Sequence, residues 1–153
     1  MTFLQEDSPV KTRDMLIGAL LRVPAYAIQR RIINELNAAG FEGLNLAHMA
    51  VLQFPSPDGV RPSVLAERAG MSKQAMNRLL GSLEDLGYLA RSDAPDEGRA
   101  RIIHFTKRGH AAYAKILEIL RDIERDWRAE LGPTDFAQLK ELLCRVWESP
   151  LAR

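Results

Sequence analysis

The chain has 153 residues, 46% of them apolar and 27% charged, and a formal net charge of +1, a length suited to one compact domain or a small domain with appended helices. The near-neutral charge excludes a global electrostatic pull towards nucleic acid, and the single cysteine, Cys144, excludes an intramolecular disulfide framework and a cysteine-rich zinc site. No apolar run approaches the roughly 20 residues that span a bilayer, and Met1 to Pro9 is short, polar and acidic, unlike a signal peptide, so a cytoplasmic protein without a membrane partner is expected.

The first predicted helix runs from about Thr12 to Ala39, with Met15, Leu16, Ala19, Leu20, Val23, Ile32, Ile33 and Leu36 as its apolar positions. Pro24 lies inside it and is expected to kink or interrupt it, because proline removes an amide donor and crowds the preceding turn. Gly40 and Gly43 end the element. A short helix follows Asn45, carrying Leu46, Met49, Val51 and Leu52, and stops at Pro55-Ser56-Pro57-Asp58-Gly59.

From Pro62 to Gly109 the chain reads helix, tight turn, helix, strand, basic loop, strand. A short amphipathic helix spans Ser63 to about Ala69, Gly70-Met71-Ser72 form the turn, and a second helix runs from Ser72 to Leu86 before Gly87. At about 100° per residue, Ala75, Met76, Leu79, Leu83 and Leu86 fall on an inward side. Lys73, Gln74, Asn77 and Arg78 fall together on the opposite side. Asn and Gln suit adenine, Arg and Lys suit guanine or phosphate. Ser72 suits an N-cap, whose free amides favour a phosphate. Glu84 and Asp85, further along the outer face, would repel phosphates, so the helix enters a groove by its N-terminal end. A polar outer face alone is ordinary amphipathicity; the adjoining turn and hairpin turn it into a reading of DNA recognition.

Two strand-like runs, Tyr88 to Ser92 and Arg101 to Phe105, flank Asp93 to Ala100, where Asp93, Pro95, Asp96 and Gly98 are turn formers. Arg99 and Arg101 sit where the chain reverses, and arginine on a loop tip suits a narrow minor groove. A solvated hairpin whose charges neutralise one another is the bland alternative. Helix-turn-helix plus basic hairpin is the geometry of a winged helix. Residues 61–110 hold nine Lys/Arg and six Asp/Glu, a local excess of 9 − 6 = +3.

A long helix is predicted from Thr106 to Leu131, with Tyr113, Ile116, Leu117, Leu120, Ile123, Trp127 and Leu131 at three- and four-residue spacing. Gly132-Pro133 breaks it, and a last helix carries Phe136, Leu139, Leu142, Leu143, Val146 and Trp147. These terminal helices hold more apolar surface than a small winged domain needs to bury. They form one intrachain bundle or interlock between two chains. The histidines, His48, His104 and His110, lack metal-ligand spacing, and Cys144 beside Leu142, Leu143 and Val146 reads as a buried small hydrophobe. No catalytic site, cofactor or metal is expected.

The segment from Val64 to Gly109 resembles the winged-helix domain of the MarR (multiple antibiotic resistance regulator) transcription factors. The matching residues are Leu65-Ala66, then Ser72, Leu79, Leu83, Glu84 and Gly87, then the wing and Phe105-Thr106-Lys107-Arg108-Gly109, similar to the family's Leu-Thr-x-x-Gly. The order of elements outside this segment fits as well. The resemblance implies dimerisation through the terminal helices and a minor-groove role for Arg99, from an Asp-x-Arg triplet matched here by Glu97-Gly98-Arg99, with glutamate in place of the usual aspartate. It implies a cleft for a small aromatic effector near Tyr26, Arg30, His48, Met49 and Leu52, for each of which ordinary packing is the competing role. It also implies release of DNA when that effector binds.

The expectation is therefore a mostly α protein with a small β-hairpin: an N-terminal helical dimerisation segment (1–43), a winged helix-turn-helix DNA-binding domain (44–110) and C-terminal dimerisation helices (111–153). It is read as a homodimeric, ligand-responsive repressor of a pseudo-palindromic double-stranded operator, and not an enzyme. Its expected DNA contacts are Ser72, Lys73, Gln74, Asn77, Arg78, Arg99 and Arg101. The alternative is a winged-helix protein-interaction module, or a small-molecule sensor without DNA binding.

Overall fold

A computed structural model describes residues 11–53, 57–93 and 101–150. After a 3-10 turn at Thr12–Asp14 come α1 (Ile17–Ala38), a second 3-10 turn at Leu46–His48 leading directly into α2 (Met49–Leu52), α3 (Pro62–Arg68) and α4 (Lys73–Asp85). The hairpin strands β1 (Leu89–Asp93) and β2 (Arg101–Phe105) follow, then α5 (Lys107–Leu131) and α6 (Pro133–Glu148). The fold is mostly helical with one antiparallel two-stranded sheet.

The helix-turn-helix is punctuated by its own residues. Pro62 opens α3 at its first turn, where a missing amide costs nothing. Gly70 closes it with φ +62°, its N–H donating to the Glu67 carbonyl while Met71 N–H reaches back to Ala66. Gly87 (φ +79°) repeats the arrangement after α4, with Gly87 N–H on Glu84 and Tyr88 N–H on Leu83. Met76, Leu80 and Leu83 of α4 are fully buried, each stabilising the fold by about 1.5–3 kcal/mol. The inward stripe thus includes Leu80, which the helical reading omitted, while Ala75, Leu79 and Leu86 are half-buried at its margins.

The hairpin register pairs Leu89 with Phe105, Arg91 with Ile103 and Asp93 with Arg101. Leu89, Ile103 and Phe105 are buried, and the stretch before α3 adds a further rung: Gly59 N–H donates to Ile103 C=O at 2.8 Å, and Ile103 N–H to Val60 C=O at 3.0 Å. Asp58 Oδ1 accepts from the Phe105 amide at 2.9 Å. The hairpin passes into α5 at Thr106, whose Oγ1 accepts from Gly109 N–H at 3.1 Å and donates to the Gly87 carbonyl at 2.6 Å. Gly109 is buried here, and a Cβ on it would collide with the Tyr88 carbonyl oxygen. That collision is a physical reason for the glycine of the Thr-x-x-Gly run.

One core joins this module to the long helices: Ile32 and Leu36 of α1 and Ile116, Ile119 and Ile123 of α5 belong to the same buried cluster as Leu65, Met76 and Ile103. Tyr88 is also fully buried, its hydroxyl donating to Glu42 C=O at 2.8 Å, with the Arg108 guanidinium 4.5 Å from its ring centre. On the surface Arg31 joins α1 to α5, bonding Glu35 and Asp126 at 2.7 Å each. The Asp126 carboxyl is held below its ordinary range by the Arg31 hydrogen bond.

Two expectations need correction. Pro24 does not interrupt α1, which runs as a single helix through it, and the helix spans Ile17–Ala38 where Thr12 to Ala39 was expected. Cys144 is exposed, not buried, because α6 sets only its Phe136 side fully into the chain. The surplus apolar surface expected of the terminal helices is left open: Leu16 is 84% and Ile17 70% exposed, and on α6 Trp147 is 73% exposed.

Candidate nucleic-acid interface

The side of α4 facing away from the core carries Lys73, Gln74, Asn77 and Arg78, all exposed. Ser72 caps the helix, its Oγ accepting from Ala75 N–H at 3.1 Å. Lys73 and Asn77 meet Arg61, Pro62 and Ser63 of the α3 start, and Arg91 and Arg101 of the hairpin, around a cleft of about 360 Å³. Four of these seven lining residues are cationic, so the cleft concentrates positive charge that the net charge of the chain conceals. Gln74 and Arg78 do not line this cleft. Arg99, with Glu97 and the rest of 94–100, lies outside the described residues.

The residue that sequence reasoning missed is Arg91. Its Nε donates to Glu84 Oε2 at 2.9 Å and its NH1 to Asn77 Oδ1 at 3.0 Å, while NH2 lies 2.8 Å from Glu84 Oε2. Glu84 is thus neutralised from the hairpin, and its negative charge is not free to oppose a phosphate as expected from the helix alone. The signal was present in strand parity. Arg91 shares a face with the buried Leu89 and opposes the buried Ile103, so an inward arginine needs an acidic partner.

His48 is the one polar or charged residue buried among those described, 2% exposed. Its Nδ1 accepts from the Asn45 amide at 3.1 Å, which leaves Nε2 to carry the proton toward Ser82 Oγ, 3.0 Å away on α4. Burial lowers its pKa and keeps it neutral. The ring therefore pins the middle of α4 to the turn before α2. The other two histidines converge on Asp58 at the hairpin base, with His104 Nδ1 at 3.4 Å and His110 Nε2 at 3.5 Å. Spacing in sequence did not reveal this grouping.

A second cleft, of about 540 Å³, opens between α1, α2, the helix-turn-helix and α6, lined by Gln29, Leu46, Met49, Gln53, Arg68, Met71, Leu79 and Trp147 among others. Of the residues expected near an effector cleft, Met49 lines it. His48 and Leu52 lie in the core, and Tyr26 and Arg30 lie on the exposed side of α1, the guanidinium 5.9 Å from the ring centre. Among the described residues no helix is long and apolar enough to cross a membrane.

Three helices, α2, α3 and α4, the last with its polar face outward, and a two-stranded hairpin define a winged helix-turn-helix protein. Residues 42–100 match the model of the MarR family. The chain is 28% identical over 141 residues to the HTH-type transcriptional repressor Rv2887 of Mycobacterium tuberculosis, covering 92% of this chain and 94% of that one. It is 24% identical over 132 residues to a putative transcriptional regulatory protein for the hcr operon of Thauera aromatica, covering 86% of this chain and 78% of that one. Among solved structures, the Rv2887 protein in complex with salicylic acid superposes with a TM-score of 0.63 at 27% identity, over 87% of this chain and 97% of that one. The repressor CouR, bound to a 23-mer DNA duplex, shares the fold with a TM-score of 0.66 at 19% identity, over 86% of this chain and 92% of that one. The chain is thus similar, in residues 42–100 and along most of its length, to transcriptional regulators of the MarR family.

Proposed function

We propose that the protein is a homodimeric, ligand-responsive repressor that binds double-stranded DNA, works in the cytoplasm and carries out no reaction. The observation that carries this reading is the cationic cleft: Lys73 and Asn77 of α4 face Arg61, Arg91 and Arg101 across it. In this reading α4 enters the major groove by its N-terminal turns, with Lys73, Gln74, Asn77 and Arg78 at bases or nearby phosphates. Ser72 and the helix start take a phosphate, Arg101 the backbone beside the hairpin, and Arg99 the minor groove. Residues 44–110 act as the DNA-binding domain, and 1–43 with 111–153 as the dimerisation parts.

Dimerisation is supported by the uncovered apolar side chains of the terminal helices, Leu16, Ile17, Val23, Leu142, Val146 and Trp147. Ligand response is supported by the second cleft and by the salicylic acid complex of the similar Rv2887 protein. A small aromatic acid would stack against Met49, Leu79 and Trp147 with Arg68 at hand for its carboxylate. To release DNA it must bind the non-DNA-binding arrangement of the dimer better than the bound one.

The test is selection of bound sequences from a random duplex pool, with affinity then measured against salt. A palindrome with half-sites about one helical turn apart, and affinity falling steeply as salt rises, is expected. Failure to retain any duplex would overturn the reading in favour of a protein-interaction module.

A further inference from the structure

Arginine has donors only, so whichever group of Asn77 faces the Arg91 guanidinium must be its amide oxygen. The contact is 3.0 Å from NH1 to Oδ1, and Arg91 is itself held in place by two bonds to Glu84, its side chain only 18% exposed. The orientation of the Asn77 amide is therefore set from the hairpin, before any DNA arrives.

An asparagine that reads adenine uses both ends of its amide: the oxygen accepts from the N6 amino group and the nitrogen donates to N7. Here that oxygen is already engaged. A second donor brought to it would set the positive edge of the amino group beside a guanidinium. The free end is the NH2 group, two donors on one nitrogen, and the major-groove edge that offers two adjacent acceptors is guanine, with N7 and O6. The same cation favours those acceptors and opposes adenine's amino group. We infer that Arg91 is a specificity-determining positioning residue, which holds Asn77 as a donor-only reader and directs it to a G·C pair instead of the A·T pair that asparagine alone would suit.

This inference rests on the DNA-binding reading above. It is tested by measuring, for the full-length protein, relative affinities for the selected operator with all four base pairs substituted at each position. The set is repeated for Asn77→Ala and Arg91→Met. Asn77 is exposed, so its truncation should leave the fold intact. At the position where Asn77→Ala flattens the base preference, the unaltered protein should favour G·C. With Arg91→Met the amide is released, and the ratio at that pair should move towards A·T by at least about fivefold.

A purely structural role for Arg91 would weaken binding to every duplex equally and leave the ratio unmoved, which would overturn the inference. So would an A·T preference in the unaltered protein, or an equal loss on all sequences in Asn77→Ala. Those last two outcomes need no change at Arg91, so the inference can fail even if Arg91→Met does not fold. Retention of no duplex at all overturns the DNA-binding reading itself, a result distinct from a bound operator with the wrong base preference.

Discussion

Helices α4 and α6 are built from similar material and meet opposite fates. Both are amphipathic, of 13 and 16 residues, with an apolar stripe at three- and four-residue spacing. On α4 the centre of the stripe closes within the chain: Met76, Leu80 and Leu83 have no exposed surface, His48 bonds to Ser82, and Arg91 satisfies Glu84 on the outer flank. On α6 only Phe136 is fully covered, while Leu142, Leu143, Val146 and Trp147 stand open. Periodicity says that a face must be covered. It does not say by what, and the difference separates a helix packed within its own chain from one whose apolar face that chain leaves open.

The largest effect is expected at Gly109. Gly109→Ala drives a methyl into the Tyr88 carbonyl and should destabilise the fold by about 3 kcal/mol, read from urea unfolding. A melt within error of the parent would show that the junction of hairpin and α5 yields, contrary to its packing. On the other side, Val146→Glu with Trp147→Glu places charges on the open stripe of α6 and should convert the dimer to monomer in analytical ultracentrifugation, with helical content kept. Persistence of a dimer would move the interface elsewhere.

A smaller effect is expected on the DNA side. Arg99→Ala should weaken duplex binding about tenfold, or about 1.4 kcal/mol, with no change in thermal midpoint, since a groove contact adds nothing to the free fold. Unchanged gel-shift titrations would remove Arg99 from the interface. Smallest is a pH effect beneath α4. The folded-state pKa of His48 is lowered by burial, so below its unfolded value near 6.5 the unfolded chain binds the extra proton first. Stability should therefore be full above that range and decline as pH falls towards the depressed folded value. Protonation also turns Nδ1 into a donor facing the Asn45 amide. His48→Gln should flatten the decline between pH 7.5 and 5.5; an equal slope in both proteins would place the acid sensitivity in other groups.

Much of the architecture was legible before any coordinates, because it is written in local chemistry. Gly70 and Gly87 mark helix ends that need positive φ, Ser72 and Thr106 mark helix starts that need an acceptor, and the β2 bounds, Arg101 to Phe105, follow from alternation. The polar group Lys73, Gln74, Asn77 and Arg78 follows from helical geometry alone and is exposed as expected. The partners of those residues were not legible. Arg91 and Asn77 are 14 positions apart, and Asp58 lies 46 and 52 positions from His104 and His110, separations across which no periodicity carries information. Leu80 and Ile119 were missed for a related reason: a helix drifts across its own stripe, and the neighbouring element decides which edge is buried.

By itself, then, the sequence determined where helices and strands begin and end, which helix is of the recognition type, and which of its side chains turn outward, since each depends on a few neighbouring residues. Only the tertiary structure decided that Glu84 is answered by Arg91, that the Asn77 amide oxygen is held by Arg91, that His48 is a neutral pin beneath α4, and that the apolar side of α6 is left open. Those facts depend on which distant segments meet. Hydrogen-bond direction and desolvation exist only once they have met.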